Sequence, residues 1–199
     1  MNIKTESIID IVESVLNKKI DNIDQKELDI IKSLRISKTD YDGILKVDSN
    51  DLNFFNNLEE LSIEGCMIDE TFINNLINTN TIKKLQFIEC DFVDNIEEYF
   101  NNLKVKELLF FNCLGLNNLT LSNIESLSIA ELPNNIKINN IKNLDLRHCT
   151  SIDYDLIINF NIKNLIISKE QINEQIKEIP YTVTIKDEYD EVIKVINNA

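Results

Sequence analysis

One short template recurs seven times along this chain, and its spacing leaves few ways to fold it. Aligned on a central leucine, the copies are IKSLRI (31–36), LEELSI (58–63), IKKLQF (82–87), VKELLF (105–110), IESLSI (124–129), IKNLDL (141–146) and IKNLII (162–167). The anchors Leu34, Leu61, Leu85, Leu108, Leu127, Leu144 and Leu165 stand 27, 24, 23, 19, 17 and 21 residues apart. A weaker eighth copy, YTVTIK (181–186), puts Val183 18 residues past Leu165. In each copy the anchor and the residue two places on are apolar, while the residue between them varies. That alternation sends both apolar side chains to one face of a short strand. A single copy cannot bury such a face, so neighbouring copies must stack into a shared core.

The segments between copies differ. After Cys66, the residues Ile68, Phe72, Ile73, Leu76 and Ile77 recur at helical spacing; Val93, Ile96, Tyr99, Phe100 and Leu103 do so after Cys90, and Ile152, Leu156 and Phe160 after Cys149. These predict helices of about two turns. The stretches 114–123 and 132–140 leave no room for a helix and predict extended or irregular chain. Before the first copy, Ile8, Ile9, Val12, Val15 and Leu16 share one helical face behind Thr5 as N-cap, and Asp24 and Glu27 stand in capping-box spacing. At the other end, QINEQIKEI, the strand YTVTIK and a helix over DEYDEVIKVINNA are expected to close the stack.

The pattern LxxLxLxxC, with Cys66, Cys90, Cys113 and Cys149 each five residues after an anchor leucine, resembles a leucine-rich repeat over roughly residues 31–185. The resemblance implies an α/β leucine-rich-repeat solenoid. Its curved parallel sheet would hold about seven or eight short strands on the concave face, with helical and irregular segments on the convex side. The segment IIDIVESVLNKKIDNIDQKELDIIKSLRIS also resembles the helical N-terminal cap of bacterial internalin-type proteins. A single domain is expected over 1–199, with a helical cap at 1–30, repeats at 31–169 and a C-terminal cap at 170–199.

The cysteines invite a search for thiol chemistry, and the repeat argues against it. The family places Asn or Cys where the chain turns away from the strand, and there a small polar tip hydrogen-bonds a neighbouring backbone. Parallel thiols stacked at strand spacing do not make a tetrahedral metal site, and buried thiols lack the open, electropositive setting of a reactive thiolate. His148, the only histidine, neighbours Cys149 in sequence, but alternation directs the two to different places. No cofactor or metal is expected.

The informative positions lie between the core residues. Ile88, Leu109, Phe111 and Ala130 are expected to form a contiguous apolar patch at the middle of the concave face, with Gln86 beside it. Glu64 and Glu89 would rim one side, and Asp145, Arg147 and His148 the other. An apolar centre with a charged rim is the anatomy of a protein-binding patch, and Phe111 is its natural anchor. The competing expectation folds Leu109 and Phe111 into the core.

Charge and hydropathy narrow the classes. A formal net charge of −14 argues against nucleic acid and anionic membrane as partners and accommodates a basic protein. No apolar run approaches the roughly 20 residues that span a bilayer, and the N-terminal stretch has no uninterrupted signal-peptide core. The expected protein is cytoplasmic and non-catalytic, presenting a rigid face to a protein partner of unknown identity, as an inhibitor or immunity-type binder does. A thiol enzyme built on Cys149 and His148, and self-association through the patch, are the alternatives.

Overall fold

A strand forms at every copy of the template. In chain order the strands are β1 (Ser33–Ser37), β2 (Glu60–Glu64), β3 (Met67–Ile68), β4 (Lys84–Ile88), β5 (Asp91–Phe92), β6 (Glu107–Phe111), β7 (Thr120–Ser122), β8 (Ser126–Ile129), β9 (Lys137–Asp145), β10 (Asn161–Ser168), β11 (Thr182–Lys186) and β12 (Val192–Ile196). They belong to a computed structural model that describes residues 3–37, 48–78, 81–93, 96–133 and 135–198. The expected caps therefore extend beyond the described residues at 1, 2 and 199, as does the expected helix after Cys90 at 94 and 95.

The main sheet has 10 strands in the order β1-β2-β4-β6-β8-β9-β10-β11-β12, with β7 attached to β9, and it does not close on itself. Every pairing in it is parallel except β11 with β12. A second, two-stranded parallel sheet joins β3 and β5.

The alignment read from the template is the register of the sheet. Leu34 lies opposite Leu61, and the row continues through Leu85, Leu108, Leu127, Leu144 and Leu165 to Val183. The row two residues on (Ile36, Ile63, Phe87, Phe110, Ile129, Leu146, Ile167 and Ile185) is buried along its whole length, as are the residues that open the first seven copies. In-phase stacking thus turns a period of two into one continuous core.

Parallel neighbours need crossovers, and these cover the core face. Helices α1 (Glu6–Leu16) and α2 (Gln25–Leu28) precede β1, α3 (Glu70–Asn78) lies between β3 and β4, and α4 (Tyr154–Ile157) lies between β9 and β10. The α3 helix and the extended middle crossings match expectation, with β7 pairing with the first residues of β9. Asn123 and Asn140, at φ 61° and 55°, turn the chain from that pairing into the main one. The other crossings depart from two-turn α-helices: Glu97–Asn102 is 3₁₀, and α4 is a single turn. A 3₁₀ segment rises about 2.0 Å per residue against 1.5 Å for an α-helix, so it spans the same gap with fewer residues.

Two further expectations are corrected. The helix expected after β11 is a tight turn followed by the antiparallel strand β12. Asp187 accepts from the amides of Tyr189 and Glu191, and Asp190 takes φ 68°. The β-branched run VIKVI then continues as strand. At the other end, the Asp24–Glu27 capping box is present, but Thr5 makes no side-chain cap although it occupies the N-cap position of α1. Its hydroxyl accepts instead from the Asp48 amide.

Gly115 has a steric role that the pattern alone does not reveal. It sits at φ 85°, where an added Cβ would lie 2.2 Å from the Phe92 carbonyl oxygen. That strand-end contact is fixed by the Phe92 amide bonding Leu114 O at 2.9 Å. Gly115→Ala is expected to lower folding stability by about 2 kcal/mol, read as a shift of the urea midpoint at unchanged m.

Candidate functional site

Alternation leaves a second set of side chains on the other face of the sheet, which none of the described crossovers covers. Ile88 lies opposite Phe111, and Gln86 opposite Leu109. Ile88, Leu109 and Phe111 are half-buried and do not pack into the core cluster, so the expectation that Leu109 and Phe111 fold inward does not hold. Ala130 departs from the expected patch. It follows β8, gives its amide to Phe110 O at 3.0 Å, and is only 8% exposed. The His148 ring stands edge-on to Phe111, with centroids 5.5 Å apart at 87°. The apolar patch is therefore Ile88, Leu109 and Phe111, with His148 as its aromatic border.

The charged rim is largely paired. Arg35 contacts Glu64 at 2.6 Å. Glu89 occupies a left-handed corner at φ 53° and is exposed. Arg147 grips both oxygens of Asp145, the nearer at 2.7 Å, and reaches Asp190 at 2.8 Å; Lys186 meets the same Asp190 oxygen at 2.8 Å. The Asp145 carboxylate raises the Arg147 pKa above its usual value. Lys186, with Arg147 behind it, holds the Asp190 carboxyl below the ordinary aspartate range. This network ties the C-terminal turn onto the sheet face. Lys186 and Asp190 lie some 40 residues from Arg147, Lys186 at the end of the expected strand 181–186 and Asp190 on a segment read as helix, so sequence spacing did not bring them to Arg147.

A trough of about 660 Å³ crosses the face from Lys84 and Gln86 past Leu109, Ser128 and Asp145 to Thr184. Its floor carries a polar ladder. The Asn143 amide donates to Ser126 at 3.1 Å, the Asn164 amide to Asn143 at 3.3 Å, and the Thr184 hydroxyl to Asn164 at 2.8 Å. The signal for it was the asparagine just before the anchor in IKNLDL and IKNLII, where other copies carry Ser, Lys or Glu.

The four cysteines mark corners of the chain. Gly65, Glu89 and Asn112, at φ 65°, 53° and 52°, immediately precede Cys66, Cys90 and Cys113. Each thiol reaches a carbonyl at a strand end: Cys66 to Glu64 O at 3.3 Å, Cys90 to Ile63 O at 3.4 Å, Cys113 to Phe87 O at 3.3 Å and Cys149 to Ile129 O at 3.1 Å. A hydrogen bond with the Cys90 thiol, and then burial, pushes the Cys113 thiol well above its usual range. Burial first, and then the charges of Asp145 and Glu131, push Cys149 up to about 12. A thiol so held is protonated at neutral pH. Among the described residues no group of three His, Cys, Asp or Glu is placed to hold a metal ion, and no helix is long and apolar enough to cross a membrane.

No family model matches this sequence, and no curated protein matches it.

Proposed function

We propose that this chain is a cytoplasmic leucine-rich-repeat solenoid that binds a protein partner through the uncovered face of its sheet, without catalysis. The solenoid reading is supported by eight anchors in a single register and by crossovers gathered over one face. The binding reading is carried by one observation: Phe111, with Ile88 and Leu109, stands on that face outside the core. A soluble chain gains nothing in stability from leaving an aromatic ring there, whereas an interface gains an anchor. Phe111 would enter a pocket of the partner, while Gln86, Glu64, Glu89, Asp145, Arg147 and His148 would form the polar rim. Hydrogen-bonded strands hold these groups in place beforehand, so little conformational entropy is lost on docking. The net charge of −14 favours a basic partner and hastens encounter with it.

The test is affinity capture from the native cell extract, with wild type and Phe111→Asp compared side by side. A partner held by wild type should bind the variant at least about 30-fold more weakly, the size of an interface hot spot, with the thermal midpoint unchanged. Equal capture by both proteins would exclude this face. A variant that no longer folds would make Phe111 part of the core.

A further inference from the structure

The C-terminal hairpin leaves an edge with unusual character. No strand pairs with the outer side of β12 among the described residues. Its side chains are also bare: Val192 is 57% exposed, Ile193 52% and Val195 49%, while Tyr189 in the preceding turn is 79% exposed. At the other end of the sheet, β1 buries Leu34 and Ile36. An open edge lined with β-branched residues is a template for strand addition, and natural chains usually blunt such edges.

The charges around β12 say what fits it. Within the turn, Asp187 is committed to backbone amides and Asp190 to Lys186 and Arg147. Glu188 and Glu191 are exposed and make no ion pair among the described residues. A strand running antiparallel to β12 would end beside these two carboxylates. A second copy of this chain fits poorly. Antiparallel pairing centred on β12 sets Lys194 against its own copy, and it joins two bodies that each carry −14. The register slip between Ile185 and Lys186 puts a bulge at Ile193, so β12 pairs regularly only over Lys194–Ile196 and offers a short edge.

We propose that the outer edge of β12 accepts a short antiparallel strand from a partner protein, made of alternating β-branched residues and ending in basic ones. Four strands separate this edge from β6, while the turn before β12 shares a cavity of about 540 Å³ with the rim residues Arg147 and His148, so the proposal concerns the backbone edge and not the Phe111 face.

The probe is a blocked synthetic heptapeptide, Val-Thr-Val-Thr-Val-Lys-Lys, titrated calorimetrically into the full chain. It should bind at least tenfold tighter than the same peptide ending in Glu-Glu. N-methylation of alternate amides along one side should weaken binding at least tenfold, because strand addition needs those donors. The double variant Glu188→Lys, Glu191→Lys should reverse the preference between the two peptides at an unchanged thermal midpoint, and Phe111→Asp should leave it intact. Absence of binding would overturn the proposal. So would indifference to N-methylation, which would mean adhesion by charge alone; loss of binding in Phe111→Asp, which would move the site to the sheet face; or a concentration-dependent dimer in light scattering, which would make the occupant a second copy.

Discussion

Phe110→Ala should cost about 4 kcal/mol of folding stability, while Phe111→Ala, one residue on, should cost less than about 1. The contrast follows from the face each ring occupies. Phe110 stacks on Phe87 at 5.7 Å with an interplanar angle of 10°, and it meets Phe100 edge-on at 5.3 Å and Phe92 edge-on at 5.8 Å. Phe87 in turn closes on Phe92 at 5.1 Å and on Phe100 at 6.0 Å, so the four buried rings form one cluster between β4, β5, β6 and the 3₁₀ crossing. Removing one ring forfeits its burial and leaves a cavity whose walls are the other three, held apart by strand register and unable to collapse. Aromatic contact adds about 0.5–1.5 kcal/mol per pair, so a double-mutant cycle between Phe87 and Phe110 should return coupling of about that size. Phe111 points the other way, touches His148, and leaves no comparable void. Urea unfolding of the two single variants is the measurement. Equal losses would mean that the two faces of β6 are not distinguished as alternation requires.

The opposite directions of the two rings were legible in the letters ELLFF, because period two sends neighbours to opposite faces, but whether Leu109 and Phe111 would still be folded into the core was open in the sequence. The spacing of the anchors also carried the sheet order, since copies about 20 residues apart can reach register only through short crossovers. The four cysteine corners were readable to the residue, five places after Leu61, Leu85, Leu108 and Leu144, although the carbonyl each thiol would meet was not. What failed had physical causes. In DEYDEVIKVINNA, Val192, Val195 and Ile196 satisfy a helical period as well as a strand, and the choice rests on Asp187 folding back on its own backbone. The same error hid Asp190 and therefore the clamp on Arg147. Ala130 was counted with the patch by its position in the template, but β8 ends at Ile129 and the chain turns inward there. The polar ladder from Ser126 to Thr184 needed four strands side by side before its hydrogen bonds existed at all.

Asp51→Ala is expected to cost about 3 kcal/mol, and the loss should be concentrated at the N-terminal end of the sheet. The Asp51 side chain is buried, 2% exposed, and one of its oxygens accepts from the backbone amides of Lys4 at 2.9 Å and Thr5 at 2.6 Å. These amides open α1, where unpaired donors and the positive end of the helix dipole both favour a carboxylate. Thr5 returns the tie by accepting from the Asp48 amide at 2.9 Å. Three bonds between residues more than 40 apart thus fasten the first helix to the crossing after β1, doing what a Thr5 side-chain cap was expected to do locally. Hydrogen bonds to a charged group are worth about 1.5–3 kcal/mol each, and alanine would leave two sheltered amides without a partner. Asp51→Asn keeps one neutral acceptor in the same space and should lose only about 1 kcal/mol. Because α1 lays Ile8 and Val12 against the core beside β1, its loosening should speed amide exchange in α1 and β1 while β9, β10 and β11 stay protected. Exchange that instead quickened evenly across the sheet would show that the N-terminal cap and the strands open as a single unit, and that the Asp51 tie supports the whole stack rather than its first layer.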